Sequence, residues 1–285
     1  MPLSEYKSII IFCSPAGTTR HVAHVIAHTL KNLGQRPVLI DIGSKDDLQK
    51  MGLHIKDLNS GSCLYLGSPV YAYHAIPPIL DIISQLPKDT GAYAIPFVTW
   101  GAVTSGIALL EMAERFNDQG FKVIGAAKIV AVHSMMWKLD SPLGKGHPDD
   151  EDDSIIKNMV EKIDHNIKQN CIKSLPLKRL NYQPDESLEM MKNTNIKSLA
   201  KALPKRYFEK ELCNGCALCS TICPAHAIEC NEYPIQKSGC IFCYNCVRLC
   251  PENAFKADFS NIEKHLKNLP KNRSESPLSQ IFFQE

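Results

Sequence analysis

The sequence predicts an α/β fold, a doubly wound five-stranded parallel sheet, followed by a small α+β domain on its C-terminal side. Three observations predict it. Short β-branched runs alternate with stretches of helical spacing up to about residue 168, the balance of charge changes sign near that point, and nine of the 12 cysteines crowd between Cys213 and Cys250. A chain of 285 residues is also longer than one hydrophobic core usually serves, so two domains are expected.

The first run, Ser8 to Cys13, is apolar almost throughout, as suits a strand buried on both faces of a parallel sheet. After the loop Ser14 to Arg20, residues Val22, Ala23, Val25, Ile26 and Leu30 recur at helical spacing up to Gly34, which marks a helix stop. The alternation continues with strands over 37–40, 63–66, 93–99 and 122–132, and with helices over 46–51, 77–86, 104–117 and 154–168. Residues 1–168 therefore read as one domain and 169–206 as a linker with one helix over 188–203. A second domain spans 207–258, and 259–285 reads as a short helix near 262–269 and a tail whose run 270–277 is expected to be mobile.

Composition narrows the function classes. Hydrophobic residues at 44% and charged residues at 22% suit a globular chain, and no apolar run reaches the roughly 18 to 20 residues of a membrane span. The N-terminal residues lack the apolar core of a signal peptide, so the expected location is cytoplasmic. Residues 1–166 carry 15 Lys and Arg against 18 Asp and Glu, and residues 167–285 carry 17 against 12, so halves of −3 and +5 make up the net +2. The basic residues are scattered rather than striped, which argues against a nucleic-acid partner.

In doubly wound sheets ligands bind at the carboxyl ends of the strands, so the loops there are the candidates. The loop after the first strand gathers Ser14, Gly17, Thr18 and Thr19 at a helix N-terminus, a setting that favours a phosphate, although a hydroxyl-rich helix cap is the plainer account of such a loop by itself. The third strand's loop, Gly67 to Pro77, carries Tyr71, Tyr73 and His74; the fourth's, Thr99 to Gly106, holds Trp100; His133 and Ser134 end the fifth strand. No G-x-G-x-x-G follows the first strand, which argues against a nicotinamide dinucleotide domain. The acidic run Asp149 to Asp153 could draw a cation or a basic partner, but carboxylates ahead of a helix are the simpler reading.

On Ser14, Gly17 and Thr19, with Ala16 where the pattern has Thr, and on Gly67-Ser68-Pro69-Val70-Tyr71, residues 7–168 resemble the flavodoxin family and its reductase relatives. The resemblance implies FMN, with Ser14, Pro15, Ala16, Gly17, Thr18 and Thr19 around its phosphate. It places Ser68, Pro69, Val70, Tyr71, Thr99, Trp100 and Gly101 around the ring system, and makes Tyr71 and His133 the catalytic candidates. It also implies a homodimer, since reductases of this type often pair over the flavin.

The second half repeats one motif, C-x2-C-x2-C-x3-C-P, at Cys213 to Pro224 and again at Cys240 to Pro251. In a reducing compartment this density reads as a ligand set rather than a disulfide framework. Zinc would accept four thiolates, but two full repeats with a proline after each fourth cysteine favour iron–sulfur clusters. Residues 207–258 resemble the bacterial ferredoxins that hold two 4Fe-4S clusters, in which the fourth cysteine of each motif serves the other cluster. That resemblance assigns Cys213, Cys216, Cys219 and Cys250 to cluster one and Cys240, Cys243, Cys246 and Cys223 to cluster two. Two such clusters at about −2 each would take the local +5 to about +1. Cys230 has no place in either set and is either a neighbour of a cluster or without a role; Cys13 and Cys63 are expected as buried, inert thiols.

Together the two halves look like the flavodoxin–ferredoxin fusions of anaerobic bacteria and archaea. The resemblance implies low-potential electron transfer between two 4Fe-4S clusters and FMN, with a redox protein as partner. The alternative is an FMN-dependent reductase of a small organic acceptor, a quinone or an activated alkene.

Overall fold

The structure is a computed structural model that describes residues 6–268 and 275–284. The elements, in chain order, are β1 (Lys7–Phe12), α1 (Thr18–Asn32), β2 (Val38–Asp41), α2 (Lys45–Ile55), β3 (Ser62–Tyr71), β4 (His74–Ala75), α3 (Pro77–Gln85), β5 (Tyr93–Trp100), α4 (Ala108–Asp118), β6 (Lys122–Val123), β7 (Ala126–Val130) and α5 (Asp150–Lys168). Then come α6 (Asp185–Asn193), α7 (Ile196–Leu199), β8 (Arg206–Phe208), α8 (Leu218–Thr221), β9 (Ile228–Cys230), β10 (Pro234–Gln236), α9 (Asn245–Arg248), β11 (Phe255–Ala257), α10 (Ser260–Asn268) and β12 (Gln280–Phe282).

β1 shows why the first half winds both ways. Its side chains alternate between two apolar layers, Ile9 and Ile11 with the α3 and α4 side, Ile10 and Phe12 with the α1 and α5 side, and all four are at most 1% exposed. The sheet order is β12-β7-β5-β3-β1-β2, with β2, β1, β3, β5 and β7 parallel. Counted along those five strands the order is 2-1-3-4-5, the flavodoxin-like arrangement, and it places the expected ligand loops along one edge.

Several elements differ from expectation. β3 runs on through the supposed loop to Tyr71 and turns back over Ala72 and Tyr73, both at positive φ (51° and 73°), to pair as β4. A two-residue turn with both central residues left-handed matches the twist of a hairpin, so the loop is a rigid arm. The fifth strand is split into β6 and β7. The linker holds α6 and α7 rather than one helix, because the Asn195 side chain accepts from Lys197 N and Ser198 N and starts a new helix. The acidic run caps α5: Asp149 accepts from Asp152 N while Asp152 accepts from Asp149 N.

The largest correction concerns the tail. Of the run expected to be mobile, 270–274 lie outside the described residues, but 275–277 and the strand beyond them are anchored. β12 pairs antiparallel with β7, covering what would be an open edge with apolar Ile281 and Phe282. Upstream, Glu275 forms a buried ion pair with Lys128 at 2.7 Å and also accepts from Thr104, Ser105 and Gln183. Gln183 belongs to the linker and Ser105 to the loop after β5, so one carboxylate ties three distant segments.

The second domain has two antiparallel two-stranded sheets, β8–β11 and β9–β10, and four-residue helices α8 and α9. Its buried cluster is small, chiefly Ile228, Tyr244, Val247, Phe255 and Phe259 beside two of the cysteines, with Met135 and Trp137 of the first domain packed against it. The Trp137 and Phe259 rings meet edge to face, 4.6 Å apart.

Replacing Glu275 with Gln leaves Lys128 buried without its counter-charge, and is expected to cost about 3–5 kcal/mol in chemical denaturation. Burial pushes the Glu275 carboxyl up, but bonding to Lys128, Ser105 and Gln183 outweighs it, so the carboxyl is held below its ordinary value. The ion pair's stabilisation is therefore present above the ordinary glutamate value of about 4.3 and is lost as pH falls through the lower folded value. Wild type and Glu275→Gln should converge in stability in strong acid.

Candidate functional site

A cavity of about 280 Å³ lies where β1, β3, β5 and β7 end. The turn into α1 contributes Ala16, Thr18 and Thr19, the β3–β4 arm Pro69 to Tyr73, the end of β5 Thr99, Trp100 and Gly101, and the segment after β7 His133 to Met135. Gly17 begins α1 with φ 92°, in the left-handed region that favours glycine; having no side chain it caps nothing, and no acidic residue stands in the first turn. The positive end of a 15-residue helix fits an anionic group at this point. The Ser14 hydroxyl accepts from Arg20 N at 2.8 Å and holds the turn closed, and the buried Thr19 and Thr99 hydroxyls bond to each other at 2.7 Å.

The rest of the lining suits a flat, mostly apolar group. Gly101 has to be glycine, because a Cβ there would lie 2.7 Å from the His133 ring. The His133 Nδ1 accepts from Met135 N, which fixes the ring at the cavity. The Trp100 indole nitrogen is buried with no hydrogen-bond partner among the described residues, unusual for an indole this deep and consistent with a ligand acceptor. Burial raises the Tyr71 phenol far above its usual range, with the Cys243 thiol next in effect and the Ser134 hydroxyl opposing.

Of the expected FMN residues, Ala16, Thr18, Thr19, Pro69, Val70, Tyr71, Thr99, Trp100 and Gly101 line this cavity, as does His133. Ser14, Pro15 and Gly17 face an adjoining cleft with Arg20, Asn245 and Arg248. Ser68 is fully buried behind the arm, accepting from Ile76 N and donating to the Pro69 carbonyl. His74 points away from the cavity. Its Nδ1 meets Glu111 at 3.2 Å and its Nε2 lies 2.9 and 2.7 Å from the carbonyls of Met191 and Thr194, so it anchors the arm to α4 and to the end of α6; Glu111 raises its pKa. Sequence reasoning missed the remaining walls, Ile196, Leu199 and Leu203 at α7 and Ile262, His265 and Leu266 of α10. Their apolar spacing was visible, but only the fold shows what that face covers.

The cysteines form two groups. Cys213, Cys216, Cys219 and Cys250 line one hollow, together with Cys230. In the other group the Cys243 thiol is pushed up to about 12, by burial first, and the thiols of Cys223, Cys240 and Cys246 add to the effect. The repeat is one of backbone shape as well as sequence. Gly215 and Ala217 have φ 74° and 56°, and at the same two places of the second motif Phe242 and Tyr244 have 54° and 58°. Phe and Tyr avoid this region at a cost of order 1–3 kcal/mol each, which only a strongly held turn repays. Backbone N–H groups of Ala227 and Phe242 point at the sulfurs of Cys223 and Cys240, at 3.2 and 3.3 Å, and Arg206 donates to Cys246 Sγ at 3.5 Å.

This donor set fits clusters better than single ions. Four thiolates on one zinc at about 2.3 Å lie roughly 3.8 Å apart. Among the described residues no three cysteine sulfurs lie within 4.8 Å of one another; the group that meets this limit is His147, Asp149 and Asp152, the cap of α5. Sulfur pointed at by backbone N–H groups and a nearby guanidinium is the environment that stabilises thiolates around iron.

The second group sits against the first domain. Ile241 is buried in its core with Cys243 packed beside it, Arg248 donates to the Pro15 carbonyl at 2.7 Å, and the His226 Nε2–H donates to the Ile42 carbonyl at 3.1 Å. Cys13, at the end of β1, is buried and close enough to Cys243 and Cys223 for their charges to raise its pKa further, after burial and Asp41. Its position was expected in a core; its place at the domain junction was not.

Both halves resemble known proteins. Residues 205–265 match the 4Fe-4S dicluster domain family. No curated protein matches the chain. Among solved structures, a flavodoxin from the domain Archaea is similar at 18% identity over 57% of this chain and 99% of that one, with a TM-score of 0.42. The rubredoxin oxygen:oxidoreductase of Desulfovibrio gigas is similar at 19% identity over 58% of this chain and 37% of that one, TM-score 0.44, so this chain spans little more than a third of its length. An NADH:FMN oxidoreductase in its apo form is similar at 17% over 60% and 92%, TM-score 0.43. The chain thus joins a doubly wound sheet with the strand order of flavodoxins to a small ferredoxin-type domain that matches the 4Fe-4S dicluster family.

Proposed function

We propose that this chain is an iron–sulfur flavoprotein that moves electrons between two 4Fe-4S clusters and FMN, in low-potential anaerobic metabolism. The observation that carries the reading is the junction: Cys243 of the second set and Tyr71 pack against the same apolar layer as Cys13, Cys243 lies close enough to raise the pKa of both, and Tyr71 lines the cavity at the sheet edge. Clusters pass single electrons while a flavin takes one or two, so the pairing interconverts the two kinds of transfer.

The order of the path follows from placement. Cluster two, on Cys240, Cys243, Cys246 and Cys223, is the inner one, beside the flavin cavity. Cluster one, on Cys213, Cys216, Cys219 and Cys250, is the outer one, because its hollow is lined only by the second domain and Cys216 is exposed. A redox protein would then exchange electrons at cluster one. In the sheet domain, the N-terminal turn of α1 at Thr18 and Thr19 would hold the FMN phosphate, with Pro69 to Tyr71 and Thr99 to Gly101 around the ring. His133, Tyr71 and Tyr73 are ionisable groups on the sheet side of that cavity, and of these His133 and Tyr71 are the candidates to hold or pass a proton.

The second reading is a reductase of a small organic acceptor, favoured by the aromatic arm with Tyr71 and Tyr73 at the cavity. Walls from α7 and α10 cover the space that a bulky partner would need beside the flavin, so under the first reading a protein partner meets cluster one instead.

Anaerobically purified protein is expected to contain about eight irons and one FMN per chain, with broad absorption near ~400 nm beneath the flavin bands. Eight irons without FMN would sink the flavin half of the reading, and a colourless protein with stoichiometric zinc would sink the whole. A panel of quinones and alkenes separates the two readings: a carrier should show little dependence on acceptor shape. Arg248→Ala, which removes charged hydrogen bonds to Pro15 and Asn245, is expected to weaken the junction by about 1.5–3 kcal/mol and to slow flavin reduction by a protein donor in stopped-flow absorbance.

A further inference from the structure

The hollow assigned to cluster one holds five thiols where a cubane uses four. The fifth, Cys230, is half-buried on β9, and its sulfur lies 3.6 Å from that of Cys219 at the start of α8. The two elements are fixed relative to each other beside the thiols, because the Ser220 hydroxyl donates to the Ile228 carbonyl at 2.8 Å. A disulfide bond of about 2.05 Å therefore needs only some 1.6 Å of closure between side chains on neighbouring elements. While iron is bound, Cys219 is engaged as its ligand and Cys230 stands idle beside it. When the iron leaves, Cys219 is released next to a thiol that has no other partner among the described sulfurs.

We propose that Cys219 and Cys230 form a reversible disulfide when cluster one is destroyed by dioxygen, an inference that rests on the cluster reading above. The step balances with dioxygen as the oxidant. Two S–H bonds break, one S–S bond forms, and the two electrons and two protons reduce one dioxygen to hydrogen peroxide. A dithiol reductant reverses it and returns Cys219 as a ligand. The pairing keeps Cys219 off the irreversible branch of cysteine oxidation, to sulfinic and sulfonic acids, while the hollow is empty. Cys230 thus acts as a resolving thiol for the ligand that it touches.

The test is peptide mapping of the full chain. Iron is counted in the anaerobic protein, the sample is exposed to air, residual iron is removed with EDTA, and free thiols are alkylated under non-reducing denaturing conditions before mass spectrometry. The expected result is a Cys219–Cys230 cross-linked peptide as the main oxidised species, abolished by dithiothreitol. Cys219 and Cys230 both alkylated, or Cys219 joined mainly to Cys213, Cys216 or Cys250, overturns the proposal. In Cys230→Ser, Cys219 should appear instead as sulfinic or sulfonic acid, and iron regained on anaerobic reconstitution after air should fall at least twofold relative to wild type; equal recovery overturns the protective role. The initial iron count separates two failures. A sample without iron at the start overturns the cluster reading and the proposal with it, whereas an iron-loaded sample that never forms the pair overturns the proposal alone.

Discussion

Where the turn 240–243 meets the end of β1, Ile241 enters the apolar layer of the sheet domain and Cys243 packs beside it, while Arg248 reaches across to the Pro15 carbonyl. This contact sets the spacing between everything else. The turn carries two of the second group's thiols, Cys240 and Cys243, and the strand end carries the loop into α1, so moving one relative to the other would separate the thiols from the cavity. The contact is apolar at its centre and hydrogen-bonded at its margin, the usual division of labour for a durable interface. A small second domain with only a modest cluster of its own apolar residues borrows stability here and at Trp137.

The chain crosses between its halves more than once, and each crossing closes the cavity further. α7 leads into the second domain and α10 leads out of it, and both present apolar residues to the same space. The return of β12 to the far edge of the sheet, with Glu275 clamped by Lys128, brings the chain back onto the first domain after α10. A buried ion pair contributes little net energy compared with apolar packing, but it tolerates only one arrangement of its partners. Here that arrangement joins the loop after β5, the linker and the tail, all next to elements that wall the cavity.

How much was legible varied with the range of the interaction concerned. Ile9 to Phe12 read correctly because a strand buried on both faces is apolar at every position, whereas the loop expected over Ser14 to Arg20 already turns into helix at Thr18. The arm at Tyr71 to His74 reads as a loop in the sequence, since nothing local marks Ala72 and Tyr73 as left-handed. His74 looks like a cavity residue by proximity in sequence, yet Glu111 and the carbonyls of Met191 and Thr194 draw it the other way. Ser68 is likewise near the cavity in sequence and behind it in space.

Two classes of domain and two repeated cysteine motifs are legible in the residues alone, because apolar period and thiol spacing are short-range properties written in consecutive positions. The left-handed turns at Gly215 and Ala217, repeated at Phe242 and Tyr244, are the backbone consequence of that spacing. Packing of the elements settles which thiol group faces the sheet, that Cys13 stands at the junction, that Cys230 touches Cys219, and that the tail becomes an edge strand. Each of these joins residues from 11 to well over 200 positions apart, and burial and pairing at such range depend on how the elements pack, which no local pattern encodes.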